Sequence, residues 1–191
     1  PEIDDLTIAI DQKDGELALV TSSVIFSVKI NETPIPLVTD EKEFLKIRSI
    51  TVRGPLDFMV VTDSTIYKIG TDTFEKQFSD SGFRFSVIRT NNSKSIIGTS
   101  LGFAIFDGLT LSHIARNEPI VGAPHAIQHL GKDQWIMANE NGISLTGWVN
   151  LSAFPLAAEI SSHLNLSKSP IQMGTRISEL LFHGNKIFMS L

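Results

Sequence analysis

The feature that most constrains this chain is a hairpin pattern that recurs about every 40 residues. Each copy has an apolar strand that ends on a small polar residue, then a short turn and a second apolar strand, as in SIIGTSLGFAIFDG (95–108). We call the small polar residue the anchor. The five anchors are 41, 37, 40 and 51 residues apart: Thr21, Thr62, Thr99, Asn139 and Ser190. Such regular spacing indicates a repeat architecture in which each copy is one supersecondary unit.

Further strand signals surround each hairpin. An apolar-rich segment precedes each anchor, turn-forming residues such as Lys13-Asp14-Gly15 separate that segment from the hairpin, and a weaker fourth strand follows. Four short strands per repeat of about 40 residues are typical of a β-propeller blade. The sequence therefore predicts an all-β propeller, partial or about five-bladed. Its repeats are expected at about 5–46, 47–83, 84–125 and 126–176, with a partial repeat at 177–191.

The last repeat is incomplete. It stops at Leu191 after two strands, and residues 1–5 are too few to supply the two missing strands. We therefore expect residues 1–191 to form a single propeller domain or a fragment of one, within a longer polypeptide. A compact five-bladed ring with one thin blade is the alternative.

The longest anchor spacing contains a predicted insertion. Leu156, Ile160 and Leu164 recur at i, i+4 and i+8, Ser152 precedes them as an N-cap, and Pro170 lies beyond them. This pattern predicts a short amphipathic helix in the fourth repeat, either packed on the rim of the ring or in contact with a partner.

Composition and motifs argue against several functional classes. The net charge is −5 and the Lys and Arg residues occur singly, whereas nucleic-acid binding needs clustered cations. The chain has no cysteine, no Gly-x-Ser-x-Gly elbow, no Gly-rich phosphate loop, and no apolar run near the roughly 20 residues of a membrane span. His125 and His129 fall four apart on a predicted strand, about 13 Å from each other, too far for one ion. We predict no catalytic residue, no metal site and no cofactor.

Two repeats resemble those of the propellers of bacterial two-component regulators. The matching residues in 95–108 are Gly98-Thr99, Gly102-Phe103 and Asp107-Gly108, and those in 133–147 are Trp135-Ile136, Ala138 and Gly142-Ile143. The first two copies depart from the pattern, with Val24 and Thr65 in place of the glycine and no tryptophan. The resemblance implies a propeller outside the inner membrane that senses ligands such as oligosaccharide breakdown products and signals to a kinase or regulator domain. On that basis a periplasmic location is slightly favoured over a cytoplasmic one.

The repeat alignment also predicts a binding site. The residues that precede the five innermost strands, 14 to 16 positions before their anchors, are Asp5, Lys46, Arg84, His125 and Arg176. Loops that enter the innermost strands surround one mouth of a propeller's funnel, so converging cations there would focus a positive potential. We predict that Lys46, Arg84, His125 and Arg176 bind an anionic small molecule or an acidic side chain of a partner. The alternative is four unrelated loop residues in weak surface salt bridges.

Aromatic residues give one prediction about packing. Phe103 and Phe106 have opposite strand parity, so we expect one of them between blades and the other exposed or at a rim. Trp135 falls on the second strand of its blade, where aromatic packing between blades is expected.

Taken together, the sequence predicts a non-catalytic recognition or sensor propeller, part of a larger signalling protein. Its partners would be the remainder of a longer polypeptide, a partner protein or an anionic small molecule, and we also consider a homodimer. The first alternative is an intracellular interaction scaffold that binds no small molecule. The second is a propeller lyase or glycoside hydrolase, for which Glu179 is the acid at an innermost-strand position.

Overall fold

The computed structural model consists of antiparallel β-sheets, one for each repeat. It describes residues 7–21, 24–29, 31–37, 46–91, 94–114, 123–131, 134–139, 142–148, 158–165, 179–183 and 186–190. All regular elements in these ranges are strands. No helix long and apolar enough to cross a membrane occurs within them.

The first two sheets contain four strands each, in chain order. The first is β1 (Thr7–Lys13), β2 (Glu16–Thr21), β3 (Ile25–Lys29) and β4 (Ile35–Leu37). The second is β5 (Ser49–Gly54), β6 (Asp57–Val61), β7 (Thr65–Ile69) and β8 (Phe74–Ser79).

The other three sheets continue the same order. The third is β9 (Phe85–Asn91), β10 (Lys94–Thr99), β11 (Gly102–Phe106) and β12 (Leu111–Ile114). The fourth is β13 (Ala126–Gly131), β14 (Gln134–Asn139), β15 (Gly142–Trp148) and β16 (Ala158–Asn165). The fifth has two strands, β17 (Glu179–His183) and β18 (Lys186–Ser190). The predicted all-β architecture of four-stranded repeats is confirmed.

The chain divides into two compact units, residues 1–95 with 107–110 and residues 96–106 with 111–191. In the first unit, apolar side chains of the first and second sheets pack into one core, which includes Val20, Ile25, Ile50, Phe58 and Val60. In the second unit, a smaller cluster lies within the fourth sheet and contains Ala126, Ile136, Ala138 and Ile143. The single domain expected over residues 1–191 stays a prediction.

Turn chemistry explains why the strands end where they do. Between β1 and β2, Asp14 and Gly15 have φ values of 51° and 82°. Positive φ at both central residues is the geometry of a type I′ turn, which matches the twist of an antiparallel hairpin. The Lys13-Asp14-Gly15 turn predicted from sequence is therefore present.

The predicted helical insertion is wrong for the part of it that the structure describes. Residues Ala158–Asn165 form strand β16, which pairs antiparallel with β15, for example Ile143 with Leu164. The i, i+4, i+8 spacing does not distinguish a helix from a strand, since four is also a multiple of the two-residue strand repeat. Pairing with the outer edge of β15 supplies backbone hydrogen bonds and decides the outcome. Residues 149–157 and 166–170 lie outside the described ranges.

The prediction for the phenylalanine pair is also wrong. Phe103 and Phe106 on β11 are both buried, at 0% and 1% exposure. Every residue of β11 is buried, so both of its faces are covered and opposite parity exposes neither ring. Trp135 is buried at 3% exposure and its ring lies 4.7 Å from that of His129 in the same sheet, and its packing between blades stays a prediction.

Asp107 closes the turn between β11 and β12. Its Oδ1 accepts hydrogen bonds from the backbone N–H groups of Leu109 and Thr110 at 2.9 and 2.8 Å, and its Oδ2 accepts one from the Thr110 hydroxyl at 3.0 Å. The Thr110 amide bond, followed by that of Leu109, lowers the pKa of the Asp107 carboxyl below its usual value because both bonds favour the charged form.

We expect Asp107→Ala to lower the free energy of unfolding by roughly 0.5–1 kcal/mol at neutral pH, the usual value of such a local side-chain bond. Because the folded-state pKa is depressed, this contribution is present above the unfolded pKa of about 3.9 and is lost as the pH falls through the lower folded value. Urea unfolding at neutral pH and at successively lower pH should show the difference between wild type and variant shrinking in acid. A difference that does not change with pH would contradict this assignment.

Candidate functional site

The anchors form a repeated turn at one end of the sheets. Thr21 accepts a hydrogen bond on its Oγ1 from the Val24 N–H at 3.0 Å and donates to the Val24 carbonyl at 2.8 Å. Thr62 makes the same two contacts with Thr65, at 3.2 and 3.4 Å. The threonine hydroxyl thus bonds to the backbone N–H and carbonyl groups that close the tight turn. This explains the preference for a small polar residue there. We call this end of the sheets, where the second strand passes into the third, the anchor end.

Residues that enter the innermost strands lie at the same end. In the first unit, the Arg48 N–H donates to the Val61 carbonyl at 2.8 Å, and the Phe85 N–H donates to the Asp63 carbonyl at 2.9 Å. Both bonds place the starts of β5 and β9 next to the turn that follows β6. In the second unit, the His125 N–H donates to the Ala138 carbonyl at 2.8 Å.

Strand register adds a residue that the repeat alignment did not select. Val61 and Ala138 each stand one position before an anchor, and their carbonyls accept from Arg48 and His125 respectively. Arg48 therefore occupies in the second sheet the place that His125 has in the fourth. Lys46 is two residues earlier in the chain. Arg48 and His125 both lie 14 positions before their anchors, and Lys46 was selected instead because the apolar segment begins at Ile47, whereas β5 begins at Ser49.

Arg48 forms an exposed ion pair with Asp63 in the anchor turn. Arg48 Nε is 2.8 Å from Asp63 Oδ1 and its Nη2 is 3.2 Å from Oδ2, so two guanidinium nitrogens hold two carboxylate oxygens. The two side chains are 55% and 49% exposed. A pair this exposed contributes little to stability, and either member can exchange its partner for another charge.

The charge of Arg84 also acts on Asp63. Residue 84 directly precedes Phe85, whose backbone is bonded to Asp63, and its side chain is exposed. The hydrogen bond from Arg48 is the main reason why the pKa of Asp63 is lowered, and the charges of Arg48 and Arg84 lower it further against a partial opposing effect of burial. The same bond raises the pKa of Arg48. Arg48 thus holds Asp63 directly, and the charge of Arg84 acts on the same carboxylate.

The predicted site residues have different outcomes. Lys46 and Arg84 are exposed at the anchor end of the first unit, and His125 is half-buried at the anchor end of the fourth sheet. Arg176 lies outside the described residues, as does Asp5. Their role in binding stays a prediction.

Deeper in the first unit, a polar network joins the innermost strands of three sheets. Asp11 on β1 accepts from the Thr51 hydroxyl at 2.9 Å and from the Val52 N–H at 2.8 Å. Its Oδ1 is 3.6 Å from Arg89 Nε on β9, and the two side chains are only 16% and 13% exposed.

Two further bonds repeat this arrangement between β5 and β9. The Ile88 N–H donates to the Ser49 hydroxyl at 3.2 Å, and the Thr90 N–H donates to the Thr51 hydroxyl at 3.0 Å. Backbone donors on the edge of an inner strand are therefore satisfied by side chains of the preceding inner strand. We call these contacts the inter-strand bridges, and they are structural.

Glu16, at the opposite end of the first sheet, is also structural. Glu16, 4% exposed, accepts from the Ser27 hydroxyl at 2.6 Å and from the Leu56 N–H at 3.1 and 3.3 Å. Leu56 lies in the turn that precedes β6 and has a φ of 54°. In the part of the chain that the structure describes, no group of three His, Asp or Glu side chains is placed to hold a metal ion.

Comparison with known proteins identifies the fold. No protein-family model and no curated protein sequence matches the chain. Solved β-propeller proteins do. YCF48 from Cyanidioschyzon merolae is 11% identical with a TM-score of 0.60, and the match covers 98% of this chain and 65% of that one. PorZ, a surface component of the type-IX secretion system of Porphyromonas gingivalis, is 13% identical with a TM-score of 0.59, over 98% of this chain and 26% of its own.

Two of the similar structures were solved as complexes. YCF48 bound to a D1 peptide is 11% identical, with a TM-score of 0.61, over 97% of this chain and 62% of that chain. Nup159 of Saccharomyces cerevisiae, in a structure with Dbp5 and Gle1, gives 11% identity and a TM-score of 0.58, over 99% of this chain and 52% of that chain. This chain thus spans between a quarter and two thirds of these proteins. The likeness shows the fold, a partial β-propeller.

Proposed function

We propose that this chain is a non-catalytic interaction module that binds an acidic segment of a partner protein at its anchor end. The observation that supports this proposal is the exposed Arg48–Asp63 ion pair with Arg84 beside it. In the free protein, the carboxylate of Asp63 neutralises the arginines. When a partner binds, one of its acidic side chains replaces Asp63 at the two guanidinium groups. Similar folds in YCF48 and Nup159, which were solved with a peptide and with protein partners, support a role in protein interaction.

The other basic residues that were predicted from the sequence extend the proposed site. Lys46, exposed two residues before Arg48, adds positive charge at the same edge of the first unit. By their positions in the repeat, His125 and Arg176 are proposed to serve the fourth and fifth repeats in the same way. An exposed cluster of this kind favours rapid and salt-dependent association more than high affinity.

A direct test is the binding of a fluorescein-labelled octaglutamate peptide, measured by fluorescence anisotropy at low ionic strength. We expect the double variant Arg48→Ala/Arg84→Ala to bind about tenfold more weakly, because each exposed ion pair contributes up to about 1 kcal/mol. Asp63→Asn should bind about threefold more tightly, since it removes the competing carboxylate. Added salt should weaken binding to the wild type more than to the double arginine variant.

The matched control is Lys68→Ala/Lys76→Ala, which removes the same charge from β7 and β8 away from the anchor end. It should bind within about twofold of wild type. If the two double variants lose affinity equally, binding reflects net charge alone and the proposed site is wrong. Circular dichroism of each variant confirms that the sheets are retained.

A sensor role at the same site is the second candidate. It is supported by the resemblance of residues 95–108 and 133–147 to repeats of two-component regulators. A small anionic ligand would then occupy Arg48 and Arg84 instead of a peptide. If small carboxylates compete for these arginines, citrate should displace octaglutamate more strongly than sodium chloride of equal ionic strength does. Displacement by both salts alike would argue against a small-molecule site.

A further inference from the structure

The outer face of the first sheet repeats, position by position, a buried face of the second sheet. Leu17 and Phe58 each stand four positions before their anchors, and their strand partners are Gln12 and Val52. The same register relates the other residues of the two faces. We define the outer face by six residues: Ile10, Gln12, Leu17, Leu19, Phe26 and Val28. Their second-sheet equivalents, in the same order, are Ile50, Val52, Phe58, Val60, Tyr67 and Ile69.

The two equivalent faces differ in how far they are covered. All six residues of the second sheet belong to the core that the first and second sheets share, and none is more than 8% exposed. The outer face of the first sheet has apolar side chains at five of the six positions, but Ile10 is 42% exposed, Gln12 is exposed and the others are half-buried. The first sheet therefore carries the packing surface of an internal repeat, and this surface remains partly exposed.

The cover of the second-sheet face shows what kind of surface fits these positions. The first sheet contributes small and aliphatic side chains to the shared core, among them Ala18, Val20 and Ile25. It also contributes an inter-strand bridge, because Asp11 accepts a hydrogen bond from the Val52 amide at 2.8 Å. A sheet of the array thus covers its neighbour with apolar side chains and with one acceptor oxygen at the inner edge.

The inner edge of β1 lacks such a bridge on its outer side. Gln12 is the β1 residue equivalent to Val52, and in the part of the chain that the structure describes no side chain accepts from its amide. In β9, the amides of Ile88 and Thr90 bind side-chain oxygens of the preceding inner strand, as Val52 does in β5. The repeat therefore assigns an acceptor from another inner strand to the Gln12 amide.

These two features together select a repeat as the cover. An apolar surface of another kind covers the side chains but supplies no oxygen in the register of Asp11. A terminal repeat of an open array carries a polar outer face, whereas this face is apolar at five positions. A second copy of the chain is disfavoured by the net charge of −5.

We propose that a further four-stranded repeat of the same polypeptide, outside residues 1–191, packs on the outer face as the first sheet packs on the second. Its second and third strands supply small aliphatic side chains at the positions of Ala18, Val20 and Ile25. Its inner strand supplies an Asp, Ser or Thr oxygen to the Gln12 amide. This proposal is independent of the acidic-peptide site, because that site lies at the anchor end and not on the sheet face.

Hydrogen exchange tests the bridge, with residues 1–191 compared with the complete gene product that contains them. We expect the Gln12 amide to exchange about 100-fold more slowly in the complete gene product, because a bridged amide exchanges only when the structure opens. The Val52 amide is the internal reference, since Asp11 binds it within residues 1–191 and it should be protected equally in both proteins.

Two variants test the packing of the side chains. In the complete gene product, Leu19→Glu and Ile10→Lys should each lower the melting temperature by roughly 5 °C or more, because each buries a charge between two sheets. In residues 1–191 the same variants should have less than half of that effect, since both positions are partly exposed there. Leu109→Glu is the matched control. Leu109 is 84% exposed in the turn between β11 and β12, so this variant should give the same small shift in both proteins.

Several results would overturn the proposal. A complete gene product without a further repeat excludes it directly. Equal exchange of the Gln12 amide in the two proteins, or equal effects of Leu19→Glu and Ile10→Lys in both, shows that no repeat covers the outer face. Sedimentation velocity of residues 1–191 tests the remaining alternative. If the chain dimerises and the dimer protects the Gln12 amide, a second copy is the cover and the proposal is wrong.

Discussion

Replacing Asp11 by alanine is expected to lower the free energy of unfolding by about 3 kcal/mol, the lower end of the range for breaking a buried ion pair. The variant leaves the Val52 N–H and the Thr51 hydroxyl without the carboxylate that both now contact, at 2.8 and 2.9 Å. It also takes the nearest opposite charge away from Arg89, whose side chain is only 13% exposed. The lower end applies because both members of the pair retain some contact with water. Guanidinium titration followed by circular dichroism measures the effect.

Two comparisons make this prediction specific to the inter-strand bridges. Asp11→Asn keeps an oxygen acceptor and loses the charge, so it should cost about half as much. Glu75→Ala removes an exposed carboxylate from β8 and should change stability by less than about 0.5 kcal/mol. If Asp11→Ala costs no more than Glu75→Ala, the network does not hold the inner strands together. Hydrogen exchange of the Val52 amide, faster in Asp11→Ala, gives a local readout.

Replacing Glu16 by alanine should cost about 2 kcal/mol. Glu16 is almost fully buried and its carboxylate accepts from Ser27 and from the backbone of Leu56 in the next sheet. Removing it leaves two buried donors unsatisfied, each at about 1–3 kcal/mol. The effect is smaller than their sum because the variant also no longer has to desolvate a charged group. Thermal or guanidinium unfolding measures the loss.

The control variants for Glu16 separate the hydrogen bonds from the volume of the side chain. Glu16→Gln keeps the size and an acceptor oxygen and should recover at least half of the loss. Glu32→Ala, at an exposed position, should be neutral within about 0.5 kcal/mol. Amide exchange at Leu56 should rise in Glu16→Ala and not in Glu32→Ala. Equal stability of Glu16→Ala and wild type would mean that the turn before β6 does not depend on the first sheet.

Local features of the sequence were enough to predict the repeats. The hairpins at Thr21, Thr62 and Thr99 depend on strand alternation and on a threonine hydroxyl that bonds to the backbone of its own turn. Both signals lie within a few residues, so their period could be read along the chain. For residues 158–165 the spacing of apolar residues led to a wrong prediction, because it fits a helix and a strand equally. Pairing with β15 makes this segment a strand.

Contacts between repeats could not be predicted in the same way. The bond from the Val52 N–H to Asp11 joins residues 41 positions apart, and no local pattern marks Asp11 as different from the neighbouring turn acids. Arg48 was missed for another reason, because the apolar segment begins at Ile47 and β5 begins only at Ser49. Lys46, Arg84 and His125 were selected within a range of 14 to 16 positions before the anchors, and the fixed count of 14 that holds for His125 gives Arg48 in the second sheet.

The inter-strand bridges affect which substitutions the repeats can tolerate during evolution. Asp11, Ser49 and Thr51 are three residue types that perform one task, since each offers an oxygen to an amide of the next inner strand. In the first three sheets, Asp, Ser and Thr all make these bonds, so such residues can replace one another while the inter-strand bridges persist. A repeat duplicated in tandem would also carry the side chains that form its inter-strand bridges.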